Sequence, residues 1–416
     1  MILALGVNSP CLPPAAAGVI RATGAGRVIC QTGGNKVSTS REILERLIAF
    51  ASVSVDTNLP ILGWIEDYLL GLGFTCHRLP DASGQKAGLF ARIGPAGDGG
   101  VLLSAHCDVV PVTGQVWTHD PFRLTEQDGR FYGRGTTDMK GFLAAALAAA
   151  ALAARADLTA PLMLAISYDE ELGCLGIRAM IDRFLPLMGR PDYCIVGEPT
   201  EMQIAIGHKG KAAYRATCHG MAGHSAMAPR FINALHLAAD LIGVLRAEQD
   251  RLLAEGAQDL AYDVPSATVH AGRLSGGVAL NIVPDRAVLD FEIRHLPAEP
   301  AAGILARIQA GARAVVAAAA NPEARIEIAE VNAYPGLETA PDAVVVAKVA
   351  ALLDAPQKTK VAYGTEAGFF AALGIATVVC GPGSMNQGHQ PDEFLEVAQL
   401  DRCDAMLWRL VQSLSR

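Results

Sequence analysis

Four apolar runs in this sequence end in residues that could hold a cation. VLLSA at 101–105 leads into His106, Cys107 and Asp108, and LMLAISY at 162–168 into Asp169, Glu170 and Glu171. YCIVG at 193–197 leads into Glu198, and ATVVC at 376–380 into a loop carrying His389. A fifth run, GRGTTDMKG at 133–141, has glycines that permit a tight loop and sets Asp138 just before a helix. Two imidazoles with several carboxylates suit a pair of zinc-like ions, whereas an all-oxygen set would suit magnesium or calcium. Two such ions, about 3.5–4 Å apart, need a bridging carboxylate. Asp138 is the candidate, because a loop position lets one short side chain reach both. On a strand, positions i and i+2 share a face, so Asp108 can accept the second ring N–H of His106 and fix its tautomer. Adjacent Glu170 and Glu171 cannot point the same way in extended chain. One is expected to bind metal and the other to take a proton from water. Each run alone has a bland reading: a surface His and Asp, a solvated Glu pair, a Glu before a turn. Their shared position at the ends of apolar runs makes the set specific.

Those ends matter because ligands of open α/β sheets bind beyond the carboxyl ends of the strands. The pattern predicts strands at 87–93, 100–105, 162–167, 193–196 and 376–379. Helices are predicted at 61–72, 140–154, 177–187, 341–353, 368–373 and 397–414, with an N-cap cluster at Ser38, Thr39 and Ser40 opening an earlier one. Strands apolar at consecutive positions are buried on both faces. Near Gly207 the character changes to alternation, as in KAAYRATCH at 211–219. Strands at 266–274, 285–294 and 324–332 and helices at 233–251 and 301–320 complete a β-α-β-β-α-β order. The expected architecture is therefore a mixed-sheet, three-layer α/β/α catalytic domain, residues 37–206 and 334–416. A ferredoxin-like α+β domain, 207–333, is inserted in it.

Length and composition agree. The 416 residues exceed what one core usually serves, and 51% hydrophobic with 18% charged residues is globular. The net charge of −8 and the lack of a Lys/Arg cluster argue against nucleic acid as partner. The longest apolar stretch, 142–154, is too short to span a bilayer and reads as a buried helix, so no membrane partner is expected. Nine cysteines, odd in number and without a C-x-x-C pair, read as reduced thiols of a cytoplasmic protein. Residues 1–36 start apolar but lack a basic flank, and Pro13–Pro14 interrupt them. They read as a poorly ordered extension or an upstream start. A nucleotide-binding oxidoreductase is disfavoured, because Gly133–Arg134–Gly135 is followed three residues on by Asp138 rather than glycine.

His106-x-Asp108, GRGTTDMKG, Asp169–Glu170–Glu171, Gly197–Glu198–Pro199–Thr200 and Gly388–His389 together resemble the M20 family of metallopeptidases and deacylases. The resemblance runs over nearly the whole chain after residue 37. It implies a two-zinc site, with cobalt an acceptable substitute. His106 and Glu198 would hold one ion, Glu171 and His389 the other, with Asp138 between them and Glu170 as general base. It also implies a cis peptide bond at Asp138–Met139 and a dimerisation or lid role for the inserted domain, hence a homodimer. In G-M-A-G-H-S at 220–225, His224 matches a residue that stabilises the tetrahedral oxyanion, often across the dimer interface. Asn281 and Arg294 match positions that bind the substrate carboxylate. The competing reading of Arg294 is a strand residue paired with Glu292 or Asp290.

Two stretches, YGTEAG at 363–368 and CGPG at 380–383 followed by QGHQPDE at 387–393, are similar to the acetylornithine deacetylase branch of that family. The substrate this implies is a small N-acyl amino acid, N-acetyl-L-ornithine first, placing the chain in arginine biosynthesis. Glu366 would then face the cationic end of ornithine, its bland alternative being a cap on the following helix. Desuccinylase, aminoacylase or dipeptidase activity is the alternative within the class. A silent, ligand-binding relative is the alternative outside it.

Overall fold

Residues apolar at both parities of a strand must bury both faces of a sheet, and the strand-end runs do so. In a computed structural model, which describes residues 38–416, nine strands form one mixed sheet. Its centre is four parallel neighbours in the order Leu162–Ser167, Val101–His106, Tyr193–Val196 and Ala376–Val379. Ala87–Ile93 and Thr75–Pro80 extend one side antiparallel, and Ile204–His208 with its partners extends the other. Because the four central strands share a direction, their carboxyl ends emerge at one edge of the sheet. The expectation for residues 1–36 lies outside the described residues.

Alternate side chains of these strands feed two separate cores. Leu103, Leu164 and Ile195 pack with helices Ser40–Ile48, Gly141–Ala153 and Val397–Ser413 on one face. Leu102, Met163 and Val196 pack with Ile177, Phe184 and Phe370 on the other. Gly141–Ala153 is buried almost all round, and its run of alanines leaves only methyl groups between it and its neighbours. The first helix is fixed by a capping box: Thr39 Oγ1 accepts from the Glu42 N–H and Glu42 Oε2 from the Thr39 N–H, at 3.2 and 2.8 Å.

The helix expected at 177–187 is broken. Leu175–Met180 and Phe184–Met188 are separated by a 3₁₀ turn at Ile181–Arg183. Pro186 has no N–H to give Asp182, so the ladder cannot continue there. Strands Thr125–Gln127, Arg130–Tyr132 and Phe394–Glu396 form a small separate sheet that the sequence pattern did not reveal, three residues being too few to show alternation.

From Gly210 to Tyr334 the chain builds a second, four-stranded antiparallel sheet in the order Thr268–Gly276, Arg286–His295, Gly210–His219, Arg325–Tyr334. Helices Ala234–Glu255 and Ala301–Ala318 cover one face, where Tyr214, Phe291 and Ile293 meet Leu241, Leu245, Ile304 and Ile308. The chain then returns to the main sheet at Leu337. Ala301–Ala318, not 142–154, is among the described residues the one helix long and apolar enough to cross a bilayer by length and composition. Its buried Ile304, Ile308 and Ala312 recur at helical spacing on the side facing the sheet.

Candidate metal centre

Each of the four parallel strands delivers its polar terminus to the same edge. His106 ends its strand, Glu170 and Glu171 follow the next strand over, Glu198 the one on the other side, and His389 lies on the loop beyond the fourth. Asp138 arrives from the Gly-rich loop, where Gly135 at φ 88° makes a turn that a side chain would strain. The Asp138–Met139 peptide bond is cis, as the resemblance implies.

Asp138 stands between the two histidines. Its Oδ1 lies 3.1 Å from His106 Nε2 and its Oδ2 lies 3.0 Å from His389 Nε2. Glu198 Oε1 is 3.8 Å from His106 Nε2, and Glu171 Oε2 is 3.0 Å from His389 Nε2. His106, Glu170 and Glu198 offer ligand atoms within 4.8 Å of one another, and so do His106, Asp138 and Glu171. Glu170 and Glu171 thus reach the cluster from different sides. Asp169 at φ 52° turns the chain between the strand and this pair, and Lys86 Nζ holds it, bonding both Asp169 Oδ1 and the Ser54 carbonyl.

Asp108 sits behind the cluster. His106 Nδ1 lies 3.0 Å from the Asp108 carbonyl and 3.4 Å from its Oδ1, so the main-chain oxygen, more than the expected carboxylate, receives the ring N–H. Either partner leaves Nε2 with its lone pair toward the cluster. The Asp108 carboxylate accepts from Ser54 Oγ at 2.8 Å and from the N–H groups of Glu170 and Glu171 at 3.2 and 3.4 Å. One side chain therefore ties the His106 strand to the Glu pair. Cys107 is a buried filler, its Sγ donating to the Ser167 carbonyl at 3.1 Å.

The residues fit a pair of divalent cations. Burial, followed by the neighbouring Asp138 charge, raises the pKa of Glu198 well above the carboxylate range and that of Glu171 to about 7. Burial, with the neighbouring carboxylates of Glu171, Asp138 and Glu366 and against the pull of His106, raises the pKa of Glu170 too. Glu171 Oε1 is buried with no hydrogen-bond partner. Crowded, desolvated carboxylates with an unmet acceptor want positive charge among them. Imidazole nitrogens in the set suit zinc-type ions more than magnesium or calcium.

The other expected site residues are placed elsewhere. His224 is exposed on the short ribbon pairing Gly223–His224 with Ile282–Val283, and its Nδ1 accepts from the Ala226 N–H at 3.1 Å. Asn281 is exposed, its carbonyl taking the Ser225 N–H. Arg294 is half-buried and donates to Glu292 Oε1 and to Tyr334 Oη, both at 2.9 Å, which is the ion-paired strand position weighed against substrate binding. Among the described residues no hydrogen bond or ion pair joins these three to the cluster. Glu366 is 1% exposed at the start of helix Ala367–Ala372, where its Oε2 accepts from Ser104 Oγ at 3.1 Å and its Oε1 is buried without a hydrogen-bond partner. Sequence reasoning missed Ser54, Lys86, Arg134 and Glu393. A polar residue in a loop reads as solvated, and only the tertiary packing buries these against the site.

Fold and cluster together define an α/β protein with a candidate dinuclear metal edge. Residues 102–413 match the profile of Peptidase family M20/M25/M40, and the chain belongs to that family. It is an M20-family amidohydrolase or peptidase. It is 35% identical over 392 residues to acetylornithine deacetylase of Pasteurella multocida (strain Pm70), covering 90% of this chain and 98% of that one. Its fold is that of an M20 family metallo-carboxypeptidase, Sso-CP2 from Sulfolobus solfataricus, at TM-score 0.73 and 20% identity, covering 90% and 99% of the two chains. It is also that of the Bacillus subtilis YXEP protein, described as a dinuclear metal binding peptidase, at TM-score 0.63 and 18% identity over 90% and 97%.

Proposed function

We propose that this chain hydrolyses the amide of a small N-acyl amino acid with the help of two zinc ions, N-acetyl-L-ornithine being the preferred substrate. The observation that carries the reading is Asp138 set between His106 and His389, with Glu171 and Glu198 beside them. The choice of substrate is supported by the 35% identity to an acetylornithine deacetylase over nearly its full length.

In this reading His106 and Glu198 would hold one ion and Glu171 and His389 the other, with Asp138 available to both. When bound, such a pair supplies Lewis acidity that lowers the pKa of water and polarises a carbonyl. Glu170 accepts the proton of the attacking water at a carboxylate oxygen. Water oxygen bonds to the acyl carbon, the C–N bond breaks, and Glu170 passes the proton to the leaving amine. Cys174 Sγ donates to Glu170 Oε1 at 3.2 Å, which leaves Oε2 for the water. The Asp108 carboxylate holds the backbone of Glu170 and Glu171 and so keeps the base in register with His106.

We assign 37–206 with 334–416 as the catalytic domain and 207–333 as a lid and dimerisation domain. His224 then stabilises the oxyanion in a homodimer, donating from Nε2, since Nδ1 is occupied as acceptor. Asn281 and Arg294 bind the substrate carboxylate, for which the Arg294 fork must exchange Glu292 for substrate. The seven described cysteines are all free, which supports a cytoplasmic enzyme. The deciding experiment compares turnover of acetylornithine, succinyl-diaminopimelate and acetyl-methionine by the zinc-loaded protein, with its metal content measured. Acetylornithine is expected to give the highest kcat/KM, and a higher value for either other compound reassigns the substrate.

A further inference from the structure

The Asp138 loop and the His389 loop are far apart in sequence, yet one buried ion pair joins them. Glu393 and Arg134 are each 1% exposed. Glu393 Oε1 accepts from the N–H groups of Thr137 at 2.9 Å and Asp138 at 3.1 Å. Its Oε2 accepts from Arg134 Nη1 at 2.6 Å and the Gly135 N–H at 3.0 Å. An ionised carboxylate has about four acceptor positions, and this one fills them all with the loop that carries Asp138. The Glu393 carbonyl adds a bond from the Gly133 N–H at 3.0 Å.

Arg134 carries the connection onward. Its Nη1 also reaches the Gln390 carbonyl at 3.3 Å, its Nη2 donates to Gln115 Oε1 at 2.7 Å, and its guanidinium lies 5.0 Å over the Trp117 ring. Gln115 Nε2 in turn donates to the His389 carbonyl at 2.9 Å. His389 needs such support. It stands on a loop at φ 63°, with its side chain 46% exposed, unlike the enclosed His106.

We propose that Glu393, Arg134 and Gln115 form a clamp of positioning residues that sets Asp138 and His389 at ligand distance from one another. The clamp rests on the two-cation reading above. It touches no ligand atom. It acts through the Asp138 N–H and the His389 carbonyl; because Asp138 serves both cations and His389 only one, its removal loosens the cation beside His389 more than the one beside Glu198. Outer partners of this kind change metal affinity by roughly 10–100-fold when mutated.

The test is titration of the chelator-treated full chain with Co²⁺, followed by calorimetry and d–d absorption, with thermal melting of the metal-free protein in parallel. Wild type is expected to take two ions. Glu393→Gln presents an amide NH₂ to backbone donors, and Arg134→Lys loses the fork. Each is expected to weaken one of the two sites roughly 10–100-fold. Gln115→Ala, on a partly exposed side chain, keeps the fold and is expected to weaken the same site, with an altered d–d spectrum. Asp404→Asn, which disturbs a part-buried contact with Ser40 outside the cluster, serves as a stability control and is expected to leave both affinities intact. Two wild-type affinities in folded Glu393→Gln and Gln115→Ala overturn the clamp, as does an equal loss in Asp404→Asn. Failure of wild type to bind any ion instead overturns the two-cation reading itself.

Discussion

The two sheets of this molecule solve different problems. In the main sheet both faces are buried, the central strands are parallel, and their polar ends have one edge to go to. In the four-stranded sheet only one face is covered by helices, and strand Gly210–His219 alternates buried with less buried positions. The residues that chemistry demands follow this division. Those at the parallel edge lie within contact of one another, whereas His224 and Asn281 of the second region are exposed and Arg294 is bonded to Glu292 and Tyr334. The difference teaches that a buried parallel sheet can preset a site within one chain. Under the proposed reading, the groups of the half-covered sheet would have to be brought to that site by closure or by a second copy.

The sharpest break of that comparison is at Glu170. Glu170→Gln should lower kcat by about 10²–10⁴-fold with cation content unchanged, measured by steady-state kinetics and metal analysis. Retained turnover would mean the base is misassigned. Next is His224→Ala, expected to cost about 10²–10³-fold in kcat if it serves as an oxyanion donor. Mixing His224→Ala with Glu170→Gln protomers should restore part of the activity, because His224 of the Glu170→Gln chain completes the one site that keeps its base. No recovery after subunit exchange would place His224 on its own chain's site.

Smaller effects separate burial from contact with substrate. Burial first, eased by Ser167 and His106, raises the Glu366 pKa from 4.5 to about 7. A carboxyl that holds its proton more tightly folded than unfolded adds stability at pH below 4.5, and this contribution fades as pH rises to about 7. The shift is worth about 3 kcal/mol. Glu366→Gln should therefore be more stable than wild type at pH 8 by urea unfolding, with KM for acetylornithine unchanged. A large rise in KM would return Glu366 to the substrate. Smallest is the bridge between the two regions, where Arg178 Nη2 meets Glu330 Oε1 at 3.2 Å with both side chains nearly half exposed. Arg178→Ala should cost less than about 1 kcal/mol of stability in the same assay.

Much of the centre was legible in residue order. His106, Glu170, Glu171, Glu198 and His389 each follow an apolar run, and the five strands predicted for the main sheet all lie within one residue of their observed bounds. The side supports were not legible. Glu393 and Lys86 look like loop charges until the chain folds over them, and nothing in the order of residues marks Glu366 as enclosed. The break at Pro186 was marked by a proline, but an apolar helix-like pattern ran through it.

The sequence by itself determined which residue types stand at which strand ends, because hydrophobic parity decides what is buried and periodicity decides the element. Only the tertiary structure decided that those ends share one edge in the order Glu171, His106, Glu198, His389, because strand order and direction depend on pairings between segments remote in the chain. It also decided which charges are enclosed. Burial belongs to the neighbours a residue acquires, and Arg134 and Glu393 acquire theirs from each other and from loops brought together across more than 250 positions.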